Sequence, residues 1–162
     1  MTDVLTTARL RFDPVPPEVA KELAAGESGG WTWIDEAPYE GTQTAAAMVG
    51  VAAASGRWQA EWGVFVLVRS EDGVAVGGMG FHGPPGAGAV EIGFDLSESA
   101  RGQGYATEGL VALAAWALEQ PDVDVVIART EEDNVASQQV MERAGFTRVA
   151  SADELWRYEL KR

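Results

Sequence analysis

The stretch ARGQGYATEGL, Ala100 to Leu110, sets two glycines one residue apart, behind an arginine and ahead of an apolar run. Val90 to Leu96 before it has strand composition. Leu110, Val111, Leu113, Ala114, Ala117 and Leu118 after it recur at helical spacing to about Glu119, and Pro121 stops the pattern. A glycine turn between strand and helix leaves backbone N–H groups unpaired at the positive end of the helix dipole. Gly102 and Gly104 have no side chains to keep a bulky anion off those groups, and Arg101 adds charge, so the segment reads as a phosphate or pyrophosphate site. The same residues also suit a tight turn that simply needs glycine. A dinucleotide fingerprint requires a third glycine where Thr107 stands. A P-loop requires Gly-Lys-Ser/Thr, and no lysine occurs between Lys21 and Lys161.

Outward from this turn, the pattern predicts a strand at Leu5–Phe12 with Leu10 and Phe12 on one face, and a short helix opened by Pro16-Pro17 and running to Ala25. A loop, Gly26–Thr42, carries Trp31, Trp33 and Tyr39, and an alanine-rich helix follows over Thr42–Ser55. Trp62–Val68 and Val74–Phe81 flank the turn Ser70–Gly73 as a hairpin. The loop HGPPGAGA leads to the strand Val90–Leu96. Val123–Thr130 is apolar on both faces, as an interior strand should be. Asp133 or Asn134 caps a helix over Val135–Ala144, with Gly145 at its C′ position, and Phe146–Ala150 and Leu155–Leu160 close the chain as strands. The order gives an α/β (α+β) architecture, a mixed and largely antiparallel sheet of six to seven strands with four helices, in one domain spanning 1–162.

The 162 residues are enough for one sizeable core, and the hydrophobic fraction of 46% is that of a globular chain. No apolar run reaches the ~18 residues that span a bilayer, and MTDVLTTARLRF lacks the basic and apolar regions of a signal peptide. With no cysteine, disulfides and thiolate chemistry are excluded, which fits a cytoplasmic protein; with a single histidine, a protein-only zinc site is not expected. A net charge of −13 repels nucleic acid and favours a cationic small molecule or basic peptide end, while also serving solubility.

ARGQGYA is similar to the Arg/Gln-x-x-Gly-x-Gly/Ala signature of the GNAT superfamily of N-acetyltransferases. EIGFDLSESARGQGYATEGL (Glu91–Leu110) and DNVASQQVMERAGF (Asp133–Phe146) resemble the ribosomal-protein N-acetyltransferase branch, and the likeness covers essentially the whole chain. The resemblance implies an acetyl-CoA-dependent N-acetyltransferase acting by direct attack of a primary amine, on a small molecule or a peptide N-terminus, as monomer or homodimer and without a metal. It implies that the backbone around Gln103 to Ala106 holds the pyrophosphate, in a cofactor site that also takes in Arg101, Gly102, Gly104, Tyr105 and Thr107. Phe94, Asp95 and Leu96, at the end of a strand that splays from its neighbour, would hold the pantetheine arm and supply an oxyanion N–H, and Asn134 would bond the arm unless it is only a helix cap.

An alkylamine with a pKa of ~10.4 must lose its proton before it attacks. Glu91, at the start of the strand running toward the cofactor, is the first candidate base. His82 is the second, because histidine titrates nearest neutral pH. Many superfamily members carry a tyrosine acid in the last helix. VASQQVMERAG has none; in the ribosomal-protein branch that the chain resembles, a serine three residues after the asparagine can hydrogen-bond the departing thiolate instead, and Ser137 fits that spacing. Trp31 and Trp33, with Asp35, Glu36 and Tyr39 nearby, suggest an acceptor wall for a cation, although one of the two should plug the core. Trp58, Trp62, Trp116 and Trp156 read as packing residues. The readings that compete are a non-catalytic acyl-CoA sensor, an acyltransferase for longer acyl-CoA, and a simple anion-binding domain.

Overall fold

The computed structural model describes residues 5–162, so Met1–Val4, the first residues of the stretch examined for a signal peptide, lie outside the described residues. The elements run β1 (Leu10–Pro14), α1 (Pro17–Ala24), β2 (Thr32–Trp33), α2 (Glu40–Ala54), β3 (Val64–Arg69), β4 (Val74–Phe81) and β5 (Ala89–Leu96). They continue with α3 (Tyr105–Leu118), β6 (Val125–Thr130), α4 (Val135–Arg143), β7 (Thr147–Val149) and β8 (Trp156–Lys161). The sheet order is β1-β3-β4-β5-β6-β8-β7. All these neighbours are antiparallel except β5 and β6.

Among the described residues eight strands form the sheet, against the six to seven that the pattern predicted. The addition is β2, two residues of the tryptophan loop, which pairs in parallel with Val74 and Ala75 of β4, where β5 does not reach. Two residues carry too little periodicity to be seen in sequence. The first strand starts at Leu10 rather than Leu5. The Thr7 N–H donates to Leu10 O at 2.8 Å, and this turn uses the preceding backbone. The segment before β3 is a single 3₁₀ turn, Ala60–Trp62, rather than strand.

Alternation along β3 builds two cores. Val64, Val66 and Val68 face α1 and α2 and join Val15, Leu23, Trp33 and Val49. Phe65 and Leu67 face α3 and α4 and join Phe12, Met79, Ile92, Leu110, Leu113 and Tyr158. A strand buried on both faces reads as a continuous apolar run, and VFVLV is one. α2 is apolar on most sides, so its place is fixed by a polar contact at its start. The Thr42 N–H donates to Asp95 Oδ2 at 3.2 Å, filling the cap that Tyr39 lacks. The approach is tight enough that a Cβ at Gly78 would stand 2.8 Å from Thr42 Oγ1.

β5 and β6 pair only at Ala89, Val90 and Glu91, against Val125, Val126 and Ile127, although β5 runs on to Leu96 and β6 to Thr130. Beyond Glu91 the sheet is open, and this gap joins its two faces.

Candidate active site

The gap leads into a cavity of about 410 Å³ that reaches both faces of the sheet. On the α2 face its wall includes Ala45, Met48, Val49, Ala52, Trp58, His82 and Asp95. On the other it includes Phe81, Ile92, Phe94, Ser137 and Met141.

Backbone polarity at the gap follows from the β4–β5 register. His82 N–H donates to Glu91 O, and Ser97 N–H donates to Val76 O. Odd-numbered residues of β5 therefore bond to β4, and Ile92, Phe94 and Leu96 turn their backbone groups toward the gap. Leu96 O is taken by the Arg101 guanidinium at 3.0 and 3.1 Å. The Asp95 backbone faces β4, and only its side chain enters the cavity.

The glycine turn lies just past that strand end. Gly102 and Gly104 have φ of +80° and +83°, in the left-handed region where glycine carries no strain, and Gly104 is the N-cap of α3. The N–H groups of Gly102, Gln103, Gly104, Tyr105, Ala106 and Thr107 have no hydrogen-bond partner among the described residues. Unpaired donors along the glycine turn and the first turn of α3 are the kind of group that binds a phosphate. Arg101 stacks on Tyr39, 4.7 Å from the ring centroid, rather than standing free. A second cation was missed in the sequence. Arg9 donates to Gln103 O at 2.9 Å and to Glu108 Oε1 at 2.7 Å, and it covers Tyr105.

His82 and Glu91 are cross-strand partners on the α2 face. His82 Nδ1 lies 3.3 Å from Glu91 Oε2, and Arg129 Nη2 lies 3.2 Å from Glu91 Oε1. Hydrogen bonding to His82, with the His82 and Arg129 charges behind it, outweighs burial and holds the Glu91 carboxyl below its ordinary value. Glu91 lies outside the cavity wall, whereas His82 is in it. A carboxylate accepting from Nδ1–H leaves the lone pair on Nε2. That nitrogen sits over Gly93, where a Cβ would stand 3.0 Å away. Two residues on, burial pushes the Asp95 carboxyl up, against its bonds from Thr42 and the Arg101 charge.

Asn134 Oδ1 accepts from Ser137 N–H at 3.2 Å, so it caps α4, and its amide NH₂ remains available in the cavity wall. The Ser137 side chain lines the same wall.

Trp31 and Trp33 do not line the cavity. The Trp33 indole N–H donates to Ser28 O and the Trp31 indole N–H to Asp13 Oδ2; Trp33 is buried in the core beside α1 and α2, and the half-buried Trp31 packs against it. The acidic loop beside them is fastened elsewhere: Asp35 accepts from Ser99 N–H, and the Tyr39 hydroxyl donates to Glu98. The tryptophans in the wall are instead Trp58 and Trp62, which read in sequence as packing residues. Asp95 as a side chain and Arg129 were also missed. Asp95 falls four residues after Glu91 in a strand, hence on the same face, and that spacing is the signal that could have found it.

Among the described residues no group of three or more histidines or acids could hold a metal, and no helix is long and apolar enough to cross a membrane. Over 83 residues the chain is 40% identical to YjdG of Bacillus subtilis, described as an uncharacterised N-acetyltransferase. The match covers 51% of this chain and 49% of that protein, so the chain spans about half the length of this curated relative. The fold is similar to an acetyltransferase from Agrobacterium tumefaciens, with a TM-score of 0.68 and 25% identity over 100% of this chain and 96% of that one. It is similar as well to a ribosomal α-N-protein acetyltransferase solved in complex with coenzyme A, with a TM-score of 0.70 and 18% identity over 98% of each chain. The model of the GNAT acetyltransferase domain matches residues 9–147, taking in the open strand pair, the glycine cradle and the Asn134 cap, and the chain belongs to that family.

Proposed function

We propose that this protein is an acetyl-CoA-dependent N-acetyltransferase in which a primary amine attacks directly, with His82 as its base. The observation that carries the reading is the open β5–β6 pair. It has a cradle of free N–H groups at its end and an imidazole with a free Nε2 on its α2 face.

The N–H groups from Gly102 to Thr107 would hold the pyrophosphate, and the Phe94 backbone and the Asn134 amide the pantetheine arm. Bound acetyl-CoA supplies an acetyl thioester, whose C–S bond gives way to the new C–N bond while the electron pair leaves with sulfur. His82 Nε2 takes the proton that the amine must lose, and Glu91 fixes the Nδ1–H tautomer and supports the charge that develops. The Phe94 N–H would bond the thioester carbonyl oxygen. The Ser137 hydroxyl would donate to the departing thiolate.

The test is free-thiol release from acetyl-CoA across a panel of amines, with calorimetry of acetyl-CoA binding alongside. Binding with amine-dependent thiol release is expected. Binding without release from any amine points to a sensor. Absence of binding overturns the cofactor assignment.

A further inference from the structure

Two polar groups at the acceptor end, Asp95 and His82, lie on one strand face. Asp95 is the only carboxylate in the cavity wall among the described residues. Its Oδ2 is taken by Thr42 and the Gly41 N–H also bonds the carboxylate, whose remaining lone pairs can accept from an ammonium. His82 Nε2 lies over Gly93, the intervening residue of the same strand face. An ammonium group meets a carboxylate oxygen and a base within about 7 Å along β5, two residues at ~3.4 Å each.

Apart from Thr44 on α2 and the Arg129 guanidinium, which Glu91 and Asp153 hold, the wall inside the rim at this end is apolar. Ala45, Val49 and Ala52 of α2 and the Trp58 ring carry the wall. Met48 belongs to the wall and is also 49% exposed, so the apolar surface continues outward along α2 to Val51. Arg57 and Gln59 are exposed wall residues and so stand at the rim. A polyamine would need a carboxylate for each further ammonium, and the wall has one. A peptide would need side-chain or backbone partners for its amides, and the α2 stretch Ala45–Ala52 offers methyl groups and a thioether.

We infer that the acceptor is a primary amine carried on an apolar or aromatic body, its ammonium drawn to Asp95 and His82 and its body laid against α2 and Trp58. The inference rests on the acetyltransferase reading and names its substrate class. Methionine suits such a surface, because its unbranched chain adapts to different shapes.

The experiment uses the full chain with acetyl-CoA and four acceptors: ethylamine, 2-phenylethylamine, spermidine and an alanine-led tripeptide. The ring adds apolar area without changing the amine, so kcat/KM for 2-phenylethylamine should exceed that for ethylamine at least thirtyfold, chiefly through KM. Spermidine and the tripeptide should fall below it. Met48→Asp, a change at an exposed helix position, should abolish most of the phenyl preference. Equal rates for ethylamine and 2-phenylethylamine, or a preference for spermidine or the tripeptide, would overturn the inference while leaving the acetyltransferase reading intact. Thiol release from none of the four would overturn both.

Discussion

His82 Nδ1 and Glu91 Oε2 face each other at 3.3 Å across the β4–β5 pair, with Arg129 on the far oxygen of the same carboxylate. The arrangement separates two roles that sequence alone assigned to competing residues. The imidazole reaches the cavity, and the carboxylate holds it. His82→Ala should therefore lower kcat/KM by roughly 10²-fold or more, with acetyl-CoA affinity unchanged. Glu91→Gln should lower it less, near tenfold. The charged groups around the ring are Glu91, Arg129 behind it and Asp95 further along β5. A larger loss in Glu91→Gln than in His82→Ala would return the base to Glu91.

Gly104 caps α3 at φ +83°, and a Cβ there would stand 3.3 Å from Arg9 Nη2. Gly104→Val should weaken acetyl-CoA binding at least tenfold, or about 1.4 kcal/mol. It should also reduce stability by about 1–2 kcal/mol, because a β-branched residue is strained at positive φ. Gly102 also has φ +80°, but open space around its missing Cβ. Gly102→Ala should show the smaller strain and a milder binding loss. Calorimetry on both folded variants checks the order, and a Gly104→Val protein with unchanged affinity would remove the cradle from the cofactor site.

Most of the architecture could be read from period and punctuation. VFVLV, the Ser70–Gly73 turn, the α3 spacing with Pro121 after it, and Gly145 at φ +93° after α4 all act within a few residues. What could not be read depends on contacts distant in sequence. The cap of α2 comes from Asp95, 53 positions away from Thr42. Glu108 is held by Thr7 and Arg9, about a hundred positions back. Trp31 and Trp33 resembled a binding wall because exposed aromatics near acids suggest one. The two-residue β2 pairing turned Trp33 into the core instead. Trp58 follows α2 in a loop with no pattern, and only the fold brings it to the cavity.

Asp95 and Glu91 respond to acid in opposite directions. Glu91 has its folded-state value lowered, so its contribution is present above its ordinary value of 4.5 and is lost as pH falls below it. Asp95 is raised above 3.8 by burial, so the folded state binds the extra proton and stability declines as pH rises through that window. Asp95→Asn keeps a carbonyl oxygen for the Thr42 N–H and removes the buried charge. The difference in Tm, variant minus wild type, should be more positive at pH 7 than at pH 4, while the KM for the amine rises. A difference in Tm that is the same at both pH values would show that Asp95 is ionised without penalty.

Asn134 performs one job that the structure shows and another that it only permits, and substitution can part them. Its Oδ1 accepts from Ser137 N–H at 3.2 Å and caps α4, while its NH₂ group is left for a ligand in the gap. Serine is as good an N-cap as asparagine, whereas alanine lacks the acceptor and costs about 1 kcal/mol. Asn134→Ala should therefore lower both Tm and acetyl-CoA affinity. Asn134→Ser should restore Tm, because the hydroxyl can accept from the same N–H, yet leave affinity several-fold below that of the parent, because the amide donor is gone. Ser137→Ala supplies the comparison: it retains the N–H that Asn134 caps and removes only the hydroxyl, so Tm and affinity should hold while kcat falls by a few-fold. If Asn134→Ser recovers affinity together with Tm, Asn134 is a helix cap alone, and the arm is held by the β5 backbone.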